Sequence, residues 1–206
     1  MRVLALVALT LSLQAQAQSW SVEAFIGDAY NFRTRLEVEQ DGFSRSLDAD
    51  YDTRGFETPL YYILRGARWR DDRAWELAVI HHKLYLQNPP PGVESLSISH
   101  GFNIASLNRA WRSGPWVYRV GAGPVITHAE AAINGARYHG PYRLSGAALL
   151  AGGGWRLALG RSAYLAAELM ATAAGADAEL HGTPQARIRA GNVALHGLAG
   201  LGYEFR

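Results

Sequence analysis

The sequence predicts an all-β chain: a closed antiparallel eight-stranded transmembrane β-barrel, wound as an up-and-down meander. Three observations predict it. First, five of the six tryptophans stand beside short polar turns. Trp69 and Trp75 bracket residues 70–73, Trp111 and Trp116 bracket residues 112–115, and Trp155 and Tyr164 flank the stretch around Gly160, Arg161 and Ser162. Trp20 opens the segment that follows the leader, and Tyr203 and Phe205 close it. Second, apolar and partly alternating stretches run between these markers, as strands with one lipid face require. Third, the stretches lead away from the turns into long polar connections. Aromatics gathered at one end of most strands form the girdle expected at a membrane interface. A soluble sandwich would bury one face of each sheet and would not gather tryptophan there.

Met1 and Arg2 precede an apolar run over residues 3–13, and Ala15, Gln16 and Ala17 follow it. A positive start, a short apolar core and a small-x-small site predict a secretory leader over residues 1–17, and a single barrel domain over residues 18–206. No uninterrupted apolar run approaches the ~18 residues that a spanning helix needs. There is no cysteine, so an exported domain must draw its stability from something other than disulfides. A barrel with every strand paired is one such source. The formal charge is +2 and there is no basic run, which argues against nucleic acid as a partner. Lys83 is the only lysine among twenty basic residues. Base composition of the genome explains that bias, and arginine pairing with lipid phosphates is the functional alternative.

The strands are expected in this order. The first covers residues 20–26, with Trp20, Val22, Ala24 and Ile26 on one face and Ser19, Ser21 and Glu23 on the other. The second covers 60–70, with Tyr61, Ile63, Ala67 and Trp69 toward lipid, Tyr62, Gly66 and Arg68 inward, and Arg65 as a break in the outer face. The third covers 74–86, with Trp75, Leu77 and Val79 opposing Glu76, Ala78 and Ile80. The fourth covers 100–112. There Phe102 and Ile104 have one parity and Leu107 and Trp111 the other, which predicts a β-bulge near Ser106. The fifth, 116–126, turns Trp116, Tyr118, Val120, Ala122 and Ile126 outward and Arg119, Gly121 and Gly123 inward. The sixth, 143–157, sets Leu149, Ala151 and Trp155 against Gly152, Gly154 and Arg156. The seventh, 163–174, sets Leu165, Ala167 and Leu169 against Glu168. The eighth, 192–205, sets Val193, Leu195, Leu201, Tyr203 and Phe205 against His196, Gly200, Gly202 and Glu204.

The short turns and both termini then share a periplasmic rim. The long connections, over residues 27–59, 87–99, 127–142 and 175–191, lie outside the cell. Within the first of them, Leu36 and Val38 alternate with Arg35, Glu37 and Glu39, and Gln40, Asp41 and Gly42 offer a turn. This predicts a hairpin that extends the first and second strands above the membrane. Pro89, Pro90 and Pro91 stiffen the second connection. They read as a cap on strand ends, or as a fixed contact surface.

Parity gathers Glu23, Arg68, Glu76, Arg119, Arg156, Glu168, His196 and Glu204 in the lumen. Eight strands leave room for side chains only, and buried charges must be paired. One reading is an interdigitated salt-bridge plug, and the other is a narrow polar path for ions. Histidine invites an enzymatic reading, since Ser97 and Ser99 lie close to His100 in sequence. A hydrolytic triad needs hydroxyl, imidazole and carboxylate together in space, which spacing does not establish. His81 and His82 point to opposite faces of a strand and cannot readily share a metal. No catalytic, cofactor-binding or metal-binding residue is therefore assigned.

Residues 18–206 resemble the small eight-stranded outer-membrane barrels of Gram-negative bacteria, the class that includes the membrane domain of outer-membrane protein A and the protein X and W groups. The resemblance rests on the leader, the strand and turn lengths, the girdle, and a last strand ending in Tyr203 and Phe205. It departs from the class where Arg206 follows Phe205. It implies an outer-membrane location, contact with outer-membrane lipid and lipopolysaccharide, passage through the barrel assembly machinery, and a monomer without cofactor. The function expected is structural or surface interaction. The alternatives are a lipid A hydrolase type of enzyme and a narrow ion or small-solute pore. Outer-membrane lipid A deacylases place His and Ser two apart on a strand face, a pattern that His100, Gly101 and Phe102 do not match.

Overall fold

The computed structural model describes residues 18–205; the expected leader over residues 1–17 and Arg206 lie outside the described residues, as do the side chains of Ser99 and His100. The strands are β1 Gln18–Phe32, β2 Thr34–Gln40, β3 Phe43–Ala49, β4 Tyr51–Asp52, β5 Tyr62–Arg70, β6 Arg73–Leu86 and β7 Val93–Ser113. They continue as β8 Trp116–Thr127, β9 Glu130–Ile133, β10 Ala136–His139, β11 Arg143–Ala158, β12 Ala163–Leu180 and β13 Ala186–Phe205. All the named pairings are antiparallel. Eight strands close a ring in the order β1, β5, β6, β7, β8, β11, β12, β13, and β13 returns to β1 from Trp20↔Phe205 to Phe32↔Val193. A closed ring leaves no edge unpaired within the bilayer.

Side chains alternate in and out along each wall because the pleat has a period of two. The exterior is a continuous apolar band, with Val22, Ile26, Leu64, Leu77, Leu107, Val120, Leu149, Leu165, Leu169, Leu195 and Leu201 all exposed. At the rim of the short turns it ends in Trp20, Trp75, Trp111, Trp116, Trp155, Tyr203 and Phe205, which are likewise exposed. That is an aromatic belt on a lipid-facing surface.

The second wall reverses the sequence expectation. In β5 and the residue before it, Tyr61, Ile63, Arg65, Ala67 and Trp69 are buried in the lumen, and Tyr62, Leu64, Gly66 and Arg68 face outward. The cause is Arg65, whose charge is matched inside by carboxylates and would face hydrocarbon outside. Trp69 shares its parity, so it leaves the girdle. Tyr164 leaves it too, since it shares the parity of Glu168 and is buried.

The bulge expected near Ser106 is absent. Register between β7 and β8 runs unbroken from Phe102↔Thr127 to Ser113↔Trp116, although the pairs at Ala105 and Ser106 are not formed. Phe102 and Ile104 point inward, level with His82 and Ile80, because aliphatic and aromatic side chains share the lumen with its polar groups at that height. Register shifts instead at Lys83, between His82 and Leu84, and at Ser145, between Leu144 and Gly146.

The long connections are largely strand. β12 and β13 stay paired up to Leu180↔Ala186, and β9 pairs with both β10 and the start of β7. The hairpin of β2 and β3 turns at Asp41 and Gly42, but it extends only the first wall. β2 follows β13 over Ala186–Ala190, and β3 pairs with β2 alone. The reason is alternation: Leu36, Val38, Val93, Leu96, Ile133, Leu180 and Ile188 bury against one another and carry the barrel upward as a crown.

Candidate functional site: the barrel interior

The lumen is layered, and each layer follows from inward residues of neighbouring walls. At the mouth on the short-turn rim, Glu204 of β13 accepts hydrogen bonds from Ser19 Oγ at 2.7 Å and from Arg112 Nη1 at 3.2 Å. Above it Trp69 donates from Nε1 to Ser21 Oγ at 3.0 Å, and the guanidiniums of Arg112 and Arg156 lie 4.7 and 5.2 Å from its ring. Tyr164 packs its ring over Gly202, where a Cβ would come within 2.2 Å, and donates its hydroxyl to Glu23 Oε1 at 2.9 Å. The glycine is thus the socket for an aromatic ring.

Next comes the charged layer. Arg65 donates to Glu23 Oε2 at 2.8 Å and to Glu168 Oε1 at 3.1 Å, and its Nε lies 3.7 Å from Glu76. Arg119 holds Glu76 at 2.9 Å and also pairs with Glu168. Arg156 closes the set on Glu23 at 2.7 Å. Three arginines meet three glutamates, and apart from Arg156, whose side chain is 13% exposed, every member is at most 2% exposed. The layer is neutral as a whole, which is the condition for burying six charges.

A third layer carries neutral polar groups. His196 Nδ1 lies 2.9 Å from the Tyr61 hydroxyl and its Nε2 lies 2.8 Å from Thr172 Oγ1. His82 and Asn192 both reach Asn31 Oδ1, at 3.1 and 2.8 Å, and Asn31 donates to Thr53 Oγ1 at 2.8 Å. The apolar crown core sits above, with Leu36, Val38, Leu84, Ile98 and Ile133 fully buried.

Of the residues that parity assigned to the lumen, the structure brings Glu23, Glu76, Arg119, Arg156 and Glu168 into one cluster. It sets His196 above them and Glu204 below. Arg68 is a correction: it faces outward, donates to Gln18 and lies 5.6 Å from the Trp20 ring. Arg65, the hub, was missed, although its conflict with the assumed outer face was the signal. His82 Nε2 lies 3.1 Å from the Asn31 amide oxygen, and the side chain of His100 lies outside the described residues. Among the described residues no cluster of three metal-ligating side chains occurs.

No family model and no curated protein matches the chain. Solved structures do. Outer membrane protein AlkL, studied in lipid bilayers, aligns at TM-score 0.58 and 14% identity over 100% of this chain and 97% of its own. The fold is that of a small eight-stranded outer-membrane barrel. Neisserial surface protein A aligns at TM-score 0.42 and 12% identity, covering 91% of this chain and 97% of its own. Ail, the attachment invasion locus protein of Yersinia pestis, aligns at TM-score 0.42 and 10% identity, covering 92% and 99%. The lipid-facing band, its aromatic belt and the closed ring independently require a membrane, and together with the fold they make this an outer-membrane barrel.

Proposed function

We propose that this protein is a sealed barrel of the outer membrane with a structural or surface-interaction role, its working surface being the β-crown above the bilayer. The observation that carries the reading is the filling of the lumen at successive levels, by the neutral six-charge cluster and then by the apolar crown core. An ion following the axis would have to break paired charges and then cross an apolar layer, and each step is costly. The crown is held by strand pairing and by ion pairs such as Arg189 with Glu37 and Glu39 at 3.2 and 3.1 Å, so it presents a fixed relief to partners. Lipopolysaccharide and the assembly machinery are the partners this placement favours, with the barrel acting as a monomer.

Conductance of the purified protein in planar bilayers tests the seal. No single-channel current above the bare bilayer is expected at neutral pH. Reproducible unitary steps that disappear on heat denaturation would replace this reading with the pore.

A further inference from the structure

On the outer wall, where the apolar band meets the crown, β5 to β8 and the residue before β11 form a notch of about 400 Å³ lined by Tyr62, Val79, His81, Asn103, Ile126 and Tyr142. His81 shares the outward parity of Trp75, Leu77 and Val79, yet it is only 7% exposed. Tyr62 covers it, with the two rings stacked at 5.0 Å and 19°. A second stacked pair, His128 and Tyr142 at 4.7 Å, involves the other flank. His81 Nδ1 lies 2.8 Å from Asn103 Oδ1. An amide oxygen only accepts, so Nδ1 is the donor in this contact, and in the neutral ring Nε2 is then the acceptor. That Nε2 is buried and has no hydrogen-bond partner in the protein. Buried polar groups are satisfied by something, and this one sits beside a notch in a lipid-facing wall. Val79, Ala105 and Ile126 make the floor, and the exposed Leu77 and Leu107 continue it into the bilayer. No arginine or lysine lines the notch, so the chemistry selects a neutral donor above an apolar chain.

We propose that the notch binds a lipid of the outer leaflet that carries a hydroxyl or amide N–H where its polar head joins its acyl chain. The donor meets His81 Nε2. That atom has no open surface in this structure, so side chains at the rim of the notch shift to let the donor reach it; the chain lies over Val79, Ala105 and Ile126, and Tyr62 and Tyr142 flank the junction at interface depth. The site lies outside the barrel and is independent of whether the lumen is sealed.

Native mass spectrometry of the protein released from phosphatidylcholine nanodiscs doped with lipid A tests it. Lipid A offers hydroxyl and amide donors at the required depth, and phosphatidylcholine offers none. Wild type is expected to retain one lipid A in preference to phosphatidylcholine. His81→Phe keeps a ring against Tyr62 and removes the acceptor, and it should lower that preference about tenfold. Ile126→Trp, which fills the floor, should lower it as well, while Leu169→Trp on another wall should not. Heat-modifiable gel mobility verifies that each variant is folded. Should a variant fail to fold, imidazole ¹⁵N spectra of wild type remain: adding lipid A should move the Nε2 resonance of His81. Equal retention of the two lipids by wild type, full preference in folded His81→Phe, or an unmoved resonance would each overturn the proposal. None of these outcomes bears on conductance, which tests the seal separately.

Discussion

At the scale of single residues, Arg65 decides most. It touches Glu23, Glu76 and Glu168 inside a layer that water barely reaches. Arg65→Leu would strand a net negative charge there, and the expected loss is on the order of 3–5 kcal/mol of stability, as for other broken buried pairs. Arg68→Gln, three residues away on the outer wall, should cost less than about 1 kcal/mol, because its contacts are exposed. Urea unfolding in lipid vesicles compares the two, and similar losses would mean that the inside–outside assignment of this wall is wrong. Tyr164→Phe belongs to the same layer. It keeps the ring in the Gly202 socket and removes only the hydroxyl bond to Glu23, so a loss of about 1.5–3 kcal/mol is expected.

At the scale of elements, the crown is built from paired extensions of the walls. Arg187 of β13 holds Asp177 of β12 by two hydrogen bonds, and Arg189 lies 3.5 Å from the same carboxylate. The bond from Arg187, with the nearby positive charges, holds the Asp177 carboxyl below its ordinary value of 3.8. A depressed folded pKa means stability that is present above the unfolded value and is lost as pH falls through the folded one. Amide protection over Ala186–Ala190 is therefore expected to hold down to about pH 4 and to weaken below it. Asp177→Asn should remove that dependence while lowering protection slightly at neutral pH, as an exposed pair implies. Hydrogen exchange followed from pH 3 to pH 7 checks both.

Alternation gives the facing of the seventh and eighth walls, Tyr164 apart, because Glu168, His196 and Glu204 mark the inward parity and Leu165, Leu169, Leu195 and Leu201 the outward one. β5 failed because Tyr61, Ile63, Ala67 and Trp69 look lipid-facing, and only Arg65 contradicted them. Aromatics and aliphatics also fill a narrow lumen, so hydrophobicity alone does not choose a face. One charge on that parity does choose it. Of the crown, only the hairpin of β2 and β3 is legible as strand in the sequence, and the rest reads as long connections, because its apolar residues line an interior above the membrane and not a lipid face. The parity of Phe102 and Ile104 suggests a bulge in sequence, whereas apolar side chains line the lumen there too, with Ile104 beside Ile80 and Phe102 beside His82. Tyr164 was assigned to the girdle by its place beside a turn, although its parity with Glu168 already put it inside.

At the scale of the whole molecule, the ring closes at one seam, where β1 meets β13. That seam runs from Trp20↔Phe205 through Val22↔Tyr203 to Phe32↔Val193, and the last residues of β13 also pair with β12 at Ala163↔Tyr203. Deleting residues 203–206 would open the short-turn end of the seam on both sides and expose strand edges to hydrocarbon, where each unmet backbone group is costly. The deleted chain is expected to lose its heat-modifiable form and to disappear from the outer-membrane fraction. Phe205→Ala should lower the folded amount without abolishing it, since the backbone ladder survives. Deletion of β2 and β3, residues 34–49, makes the contrast. The seam between Trp20 and Phe32 would remain, so the ring should still close and only crown packing around Leu36 and Val38 should be lost. Cell fractionation with unboiled gels separates these outcomes. If the truncated seam assembled normally while loss of the hairpin prevented assembly, closure would depend on the crown and not on pairing within the membrane.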